Sequence, residues 1–225
     1  MQSRKDPLVN DQYYHIFSRS IAQFKIFNNN EDYLRILNIL DLYRYIDFNL
    51  KYSQFDELTM VHQQAIVANL RKDNSLLVEI VAYCLMPTHL HLLLKQIADK
   101  GIAKYMSKVL NSYSRYFNIK HKRLGPLWTG RFKSVLVSSD EQLLHLTRYI
   151  HLNPTSAGLV DKLNIWEFSS YYEYIDPDIK REKICSFSDI LTLSPKEYKK
   201  FVESRKSYQK ELSFIKSILI DNYTG

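Results

Sequence analysis

Glycine is scarce in this chain, at 5 residues in 225. No GxGxxG or GxxxxGK(S/T) string occurs, which excludes the glycine-loop cradles that hold nucleotide phosphates, and collagen-like or linker-rich designs with them. Cys84 and Cys185 are the only cysteines, far apart and outside any CxxC pair, so neither a zinc knuckle nor a disulfide framework is supported. The opening MQSRKDPLVNDQ lacks the apolar core of a signal peptide. No apolar run approaches the ~18 residues that span a bilayer. The expectation is a cytoplasmic protein with no membrane partner.

What is present is apolar, aromatic and basic. Apolar residues make up 45% of the chain, enough to bury a real core and to exclude bulk disorder. Lys and Arg number 31 against 24 Asp and Glu, a net charge of +7 that favours polyanionic partners, chiefly nucleic acid. With 17 Tyr and 11 Phe there are also aromatic faces on which unpaired bases could stack, although packing in the core accounts for such residues equally well.

Tyr13–Arg19 is rich in strand formers. Asn28–Asn30 then offers an N-cap for an amphipathic helix running to about Phe48. Residues 50–75 read as an insertion, with a short helix over Val61–Leu70. Val78–Met86 is almost continuously apolar, as in a strand buried on both faces, and Pro87-Thr88 turns it into a second strand from His89 to Lys95. A long helix over 101–122 and a strand within Trp128–Val137 follow. A helix from Asp140 is expected to stop at Asn153-Pro154, because a residue before proline disfavours the helical region. The charged tail reads as helical at 195–203 and 207–220. Residues 1–177 are thus assigned to one domain and 178–225 to a helical C-terminal extension. The order of elements predicts an α+β fold, an antiparallel sheet with helices packed on one face.

Two strings carry chemistry. In His89-Leu90-His91, alternate side chains of a strand share a face, so the imidazoles lie roughly 6–7 Å apart along it and could hold one divalent cation while Leu90 enters the core. Packed or surface histidines explain an H-x-H string just as simply. In Tyr149-Ile150-His151-Leu152-Asn153-Pro154, Tyr149 and Asn153 are i and i+4 on one helix face. Asn153 could add a neutral oxygen ligand and Tyr149 a phenol nucleophile, or Asn153 could merely end the helix. Tyr113 and Tyr116 are rival nucleophiles, but neither has a ligand-type residue four positions on. Arg131 and Lys133 flank Phe132, with Trp128 just before them, a pattern that suits phosphates and stacked bases or an ordinary amphipathic strand. Arg19 and Arg148 are further DNA-binding candidates.

Leu85-Met86-Pro87-Thr88-His89-Leu90-His91-Leu92-Leu93 resembles the MPxHxHLL signature of the single-tyrosine HUH transposases. Tyr113-Ser114-Arg115-Tyr116-Phe117-Asn118, Gly125–Lys133 and Arg148–Pro154 are similar, in order, to further blocks of the REP-associated tyrosine transposases. The likeness runs from about Tyr13 to Tyr174. It implies a ferredoxin-like fold with the histidines on a central strand, Mg²⁺ or Mn²⁺, a 5′-phosphotyrosine intermediate, and single-stranded DNA with hairpin or palindromic repeats as partner. Carried over by motif, His89, His91 and Asn153 would be metal ligands and Tyr149 the nucleophile. The chain departs from the pattern at the 50–75 insertion, at Thr88 where Asn is usual, and in its tail, so target sequence and assembly, whether monomer or homodimer, stay open. Other readings are a domesticated hairpin-binding protein without transposition, a metal-dependent hydrolase using activated water, and a basic RNA-binding module.

Overall fold

The computed structural model describes residues 6–179, 182–187 and 192–204. Four antiparallel strands form one sheet in the order β2-β3-β1-β4: β1 is Tyr13–Arg19, β2 Val78–Met86, β3 His89–Gln96 and β4 Lys133–Val137. β2 and β3 are the two arms of a hairpin turning at Pro87 and Thr88, as the sequence predicts. Phe17 pairs with His91 on one side and Lys133 on the other, and Arg19 pairs with His89.

Strand alternation sorts the side chains into two cores. Tyr14, Ile16, Leu90, Leu92 and Leu94 face α1 (Asn30–Tyr43) and α4 (Gly101–Lys120) in one buried cluster. Leu93, Cys84, Met86 and Val137 face the other way, toward α5 (Asp140–Ser156), α6 (Tyr171–Ile175) and α7 (Pro195–Glu203). The α+β antiparallel architecture therefore holds, with one correction: helices cover both faces of the sheet. The reason lies in β2, where residues of both alternations are buried, and a sheet apolar on both sides must be covered on both.

Two helix ends differ from expectation. Helix α1 stops at Tyr43, short of Phe48, because Tyr45 leaves to pair with Leu76. Helix α5 passes through Pro154 to Ser156. The proline ring removes the N–H that would bond the Ile150 carbonyl, and the turn around it carries side-chain bonds from the Asn153 amide to the Tyr149 carbonyl (2.9 Å) and from the Thr155 hydroxyl to the Leu152 carbonyl (2.9 Å). The 50–75 stretch forms α2 (Tyr52–Asp56) and α3 (Met60–Asp73), the latter containing the expected 61–70 helix.

In the tail, α7 buries Tyr198 and Val202 against α5 and α6. A chain of hydrogen bonds fixes it there. The Tyr198 hydroxyl donates to Thr147 (2.9 Å) and lies 2.7 Å from His151 Nδ1, while His151 Nε2 lies 2.8 Å from the Ser170 hydroxyl. The helix expected at 207–220 lies outside the described residues.

Candidate active site

β3 presents His89 and His91 on the face opposite Leu90, with ring centroids 5.1 Å apart. His91 has no exposed surface, and His89 is half-buried. A third histidine, His15 on neighbouring β1, stacks on His91 at 5.4 Å, and its Nε2 lies 3.1 Å from His91 Nδ1. On the outer side, His89 Nδ1 lies 2.9 Å from the Thr88 hydroxyl. His89 and His91 thus each have Nδ1 engaged, which leaves Nε2 as the ring nitrogen that could meet a cation. Burial, with His15, His89 and Arg19 nearby, holds the His91 pKa well below its ordinary value, so this imidazole is neutral at physiological pH.

Helix α5 lays Tyr149 across the same face. Its ring meets the His91 ring edge-on at 5.8 Å and the His15 ring at 6.1 Å. Asn153, one turn on, is 9% exposed and spends its amide nitrogen on the Tyr149 carbonyl, which leaves the amide oxygen as the atom able to meet a cation. The rival tyrosines stand on α4, across the sheet. Tyr113 donates its hydroxyl to the Ile26 carbonyl (2.5 Å), and burial raises its pKa. Tyr116 donates to Asp32 (2.8 Å), and burial pushes its pKa up to about 12.

Among the described residues, no three His, Cys, Asp or Glu side chains gather as a metal site. A cation at the His89–His91 pair would therefore draw a further donor from another residue type, and the Asn153 amide oxygen is of the right chemistry, an uncharged oxygen beside two imidazoles.

Residues 48–153 match the family model described as Transposase IS200 like. The match covers 106 of the 225 residues, just under half of the chain. A Haemophilus influenzae protein named as a putative REP-associated tyrosine transposase is 28% identical over 114 residues, which cover 46% of this chain and 65% of that relative. The chain thus spans just under two thirds of the length of the curated relative it matches. A REP-associated tyrosine transposase solved bound to a REP hairpin superposes with a TM-score of 0.51 at 15% identity, covering 87% of this chain and 96% of that one. At that identity the likeness shows the shared fold.

The expected DNA-contacting residues divide. Lys133 is exposed beside Phe17 on the histidine face, and Arg131 is exposed just before β4. The Arg19 guanidinium lies over the Phe17 ring at 5.2 Å, and Phe17 itself packs on His91 at 4.9 Å, so Arg19 borders the site. Trp128 and Arg148 lie in the interior. Trp128 is 7% exposed, packs near Tyr113, and donates its indole N–H to the Leu110 carbonyl (3.1 Å). Arg148 is 1% exposed, with its guanidinium bonded to the Ser204 carbonyl and resting over the Phe201 ring (5.0 Å). Both serve the interior, because the α4 and α7 surfaces that receive them are distant in sequence. His15 and Phe17 were not singled out from the sequence, although their alternation with Arg19 in β1 was the available signal.

Proposed function

We propose that the chain is a metal-dependent endonuclease and strand transferase, a transposase acting on hairpin-bearing single-stranded DNA, with Tyr149 as nucleophile. The observation that carries the reading is the Tyr149 ring closing on the His91 edge at 5.8 Å, which sets a phenol beside a neutral imidazole. His89 and His91, through Nε2, and Asn153, through its amide oxygen, would hold Mg²⁺ or Mn²⁺. When bound, such an ion polarises a phosphoryl oxygen and offsets charge developing at phosphorus.

The chain's own residues supply the rest. His91 ligates through Nε2 only in the tautomer with hydrogen on Nδ1, and the His15 Nε2 at 3.1 Å accepts that hydrogen. The Tyr149 phenol oxygen attacks phosphorus and loses its proton, the bond from phosphorus to the 3′ oxygen breaks, and that oxygen leaves as a 3′-OH after gaining a proton. The 5′ phosphate stays esterified to the tyrosine, and attack by another 3′-OH reverses the step and joins strands without ATP. Arg19, Lys133 and Arg131 meet backbone phosphates beside Phe17. The hairpin substrate is carried over from the solved relative bound to a REP hairpin.

The test is a nicking assay on a hairpin-bearing single strand. Chelator should stop cleavage, Mg²⁺ or Mn²⁺ should restore it, and His89→Ala should lose it with the fold intact. Full cleavage by His89→Ala in chelator would remove the metal assignment.

A further inference from the structure

Across the sheet from the histidines, α1, α4 and the segment leading into α2 enclose a groove of about 750 Å³. This lies within the ~300–1,000 Å³ range of small-molecule sites. Its floor is aromatic and buried: Tyr43, Phe48 and Tyr52 are 5%, 2% and 4% exposed. Above them stand Lys51, Lys108 and Arg115, which pair with no carboxylate among the described residues. Lys108 instead donates to the Phe48 carbonyl (3.3 Å), which draws its ammonium over the floor.

The contrast with neighbouring cations is informative. Lys120 is neutralised by Glu31 and Asp32, and Arg35 by Asp56 at 2.7 Å. Arg35 is also stacked on Tyr52 at 4.2 Å and Tyr116 at 4.9 Å, so it serves as wall. Positive charge without a carboxylate is left over one apolar slot, with the exposed amide of Asn111 on α4 at its side. An apolar planar body, an edge able to hydrogen-bond and an anionic group form the chemical outline of a nucleotide, since a flat base suits the floor and a phosphate suits the ammonium and guanidinium groups.

We propose that this groove binds a single nucleotide, base toward Phe48 and phosphate toward Lys108 and Arg115, at a site separate from the histidine face. The nucleotide is either free in solution or an unpaired residue of a DNA strand, and the two share this chemistry.

The test is calorimetric titration of 5′-mononucleotides (dTMP, dCMP, dAMP, dGMP) into the full chain carrying Tyr149→Phe, with chelator present. Binding then owes nothing to the nicking site, and a failed nicking assignment would leave the result unaffected. Saturable binding is expected, weakened at least tenfold in Lys51→Glu/Arg115→Glu, whose exposed positions leave the fold unchanged by circular dichroism. A single-stranded oligonucleotide that displaces the mononucleotide assigns the site to a strand residue, and independent binding of the two assigns it to a free nucleotide. Absence of binding by all four mononucleotides, or equal affinity in the double variant, would overturn the proposal.

Discussion

His91 is enclosed by His15, Phe17, His89 and Tyr149, with ring centroids 4.9–5.8 Å away. The 3.1 Å approach to His15 is a polar contact that helps to orient it. Loss of an outer partner of a metal-binding histidine typically costs about 10–100-fold in metal affinity. His15→Ala should therefore raise the Mn²⁺ concentration needed for half-maximal nicking by about that factor, with much of the rate recovered at saturating Mn²⁺. His15→Gln, which can still accept a hydrogen bond, should recover part of the affinity. An unchanged metal requirement would show that His15 merely fills space. Burial also places His91 and His151 far below the ordinary histidine pKa, His151 at about 3. The folded state then binds fewer protons than the unfolded one below pH 6.5 or so. Stability is complete above that pH and falls as pH drops toward 3. Urea midpoints should decline between pH 6.5 and 4.5, above the range in which ordinary carboxylates titrate, and a flat profile there would contradict the buried neutral histidines. At this scale the sequence was legible where local spacing decides the geometry, as in His89-Leu90-His91. It did not show the burial of Trp128 and Arg148, whose surroundings come from α4 and the end of α7.

Helix α4 begins at a point that tolerates only glycine. A Cβ on Gly101 would sit 2.1 Å from the Leu77 carbonyl oxygen, which is backbone and cannot yield. Gly101→Ala should cost about 1–3 kcal/mol, the usual penalty of overpacking, read as a lower urea midpoint at unchanged slope. A variant as stable as the parent would mean that the α4 start can shift away from β2. Elements with strong periodicity, such as β1, the β2–β3 hairpin and α4, were readable because their own residues decide them. The ends of α1 and α5 were less so. Tyr45 answers to Leu76, thirty-one positions away. Pro154 lies inside α5, and its neighbours Asn153 and Thr155 are residue types that can equally well stop a helix. Helix cover on both faces was implicit in the almost continuously apolar run of β2, but alternation elsewhere pointed to one.

The whole molecule is a sheet between two helical layers, with different chemistry exposed on each side. The α5 side brings Tyr149 to the histidines, and the α1/α4 side holds the basic groove. The +7 charge is spread over both, so overall composition could suggest a polyanionic partner without locating it. Among the described residues, no helix is long and apolar enough to cross a membrane. The division of labour between the two sides turns on the claim that Tyr149 forms the bond to DNA. The most direct measurement is a denaturing gel of the chain incubated with Mn²⁺ and a 5′-extended hairpin strand labelled on the 3′ side of the cut, followed by peptide mapping of any slow-migrating species. A covalent adduct is expected that maps to Tyr149, survives boiling in detergent, and is absent from Tyr149→Phe although that variant still binds the hairpin. An adduct that persists in Tyr149→Phe, or one that maps to Tyr113 or Tyr116, would contradict that claim.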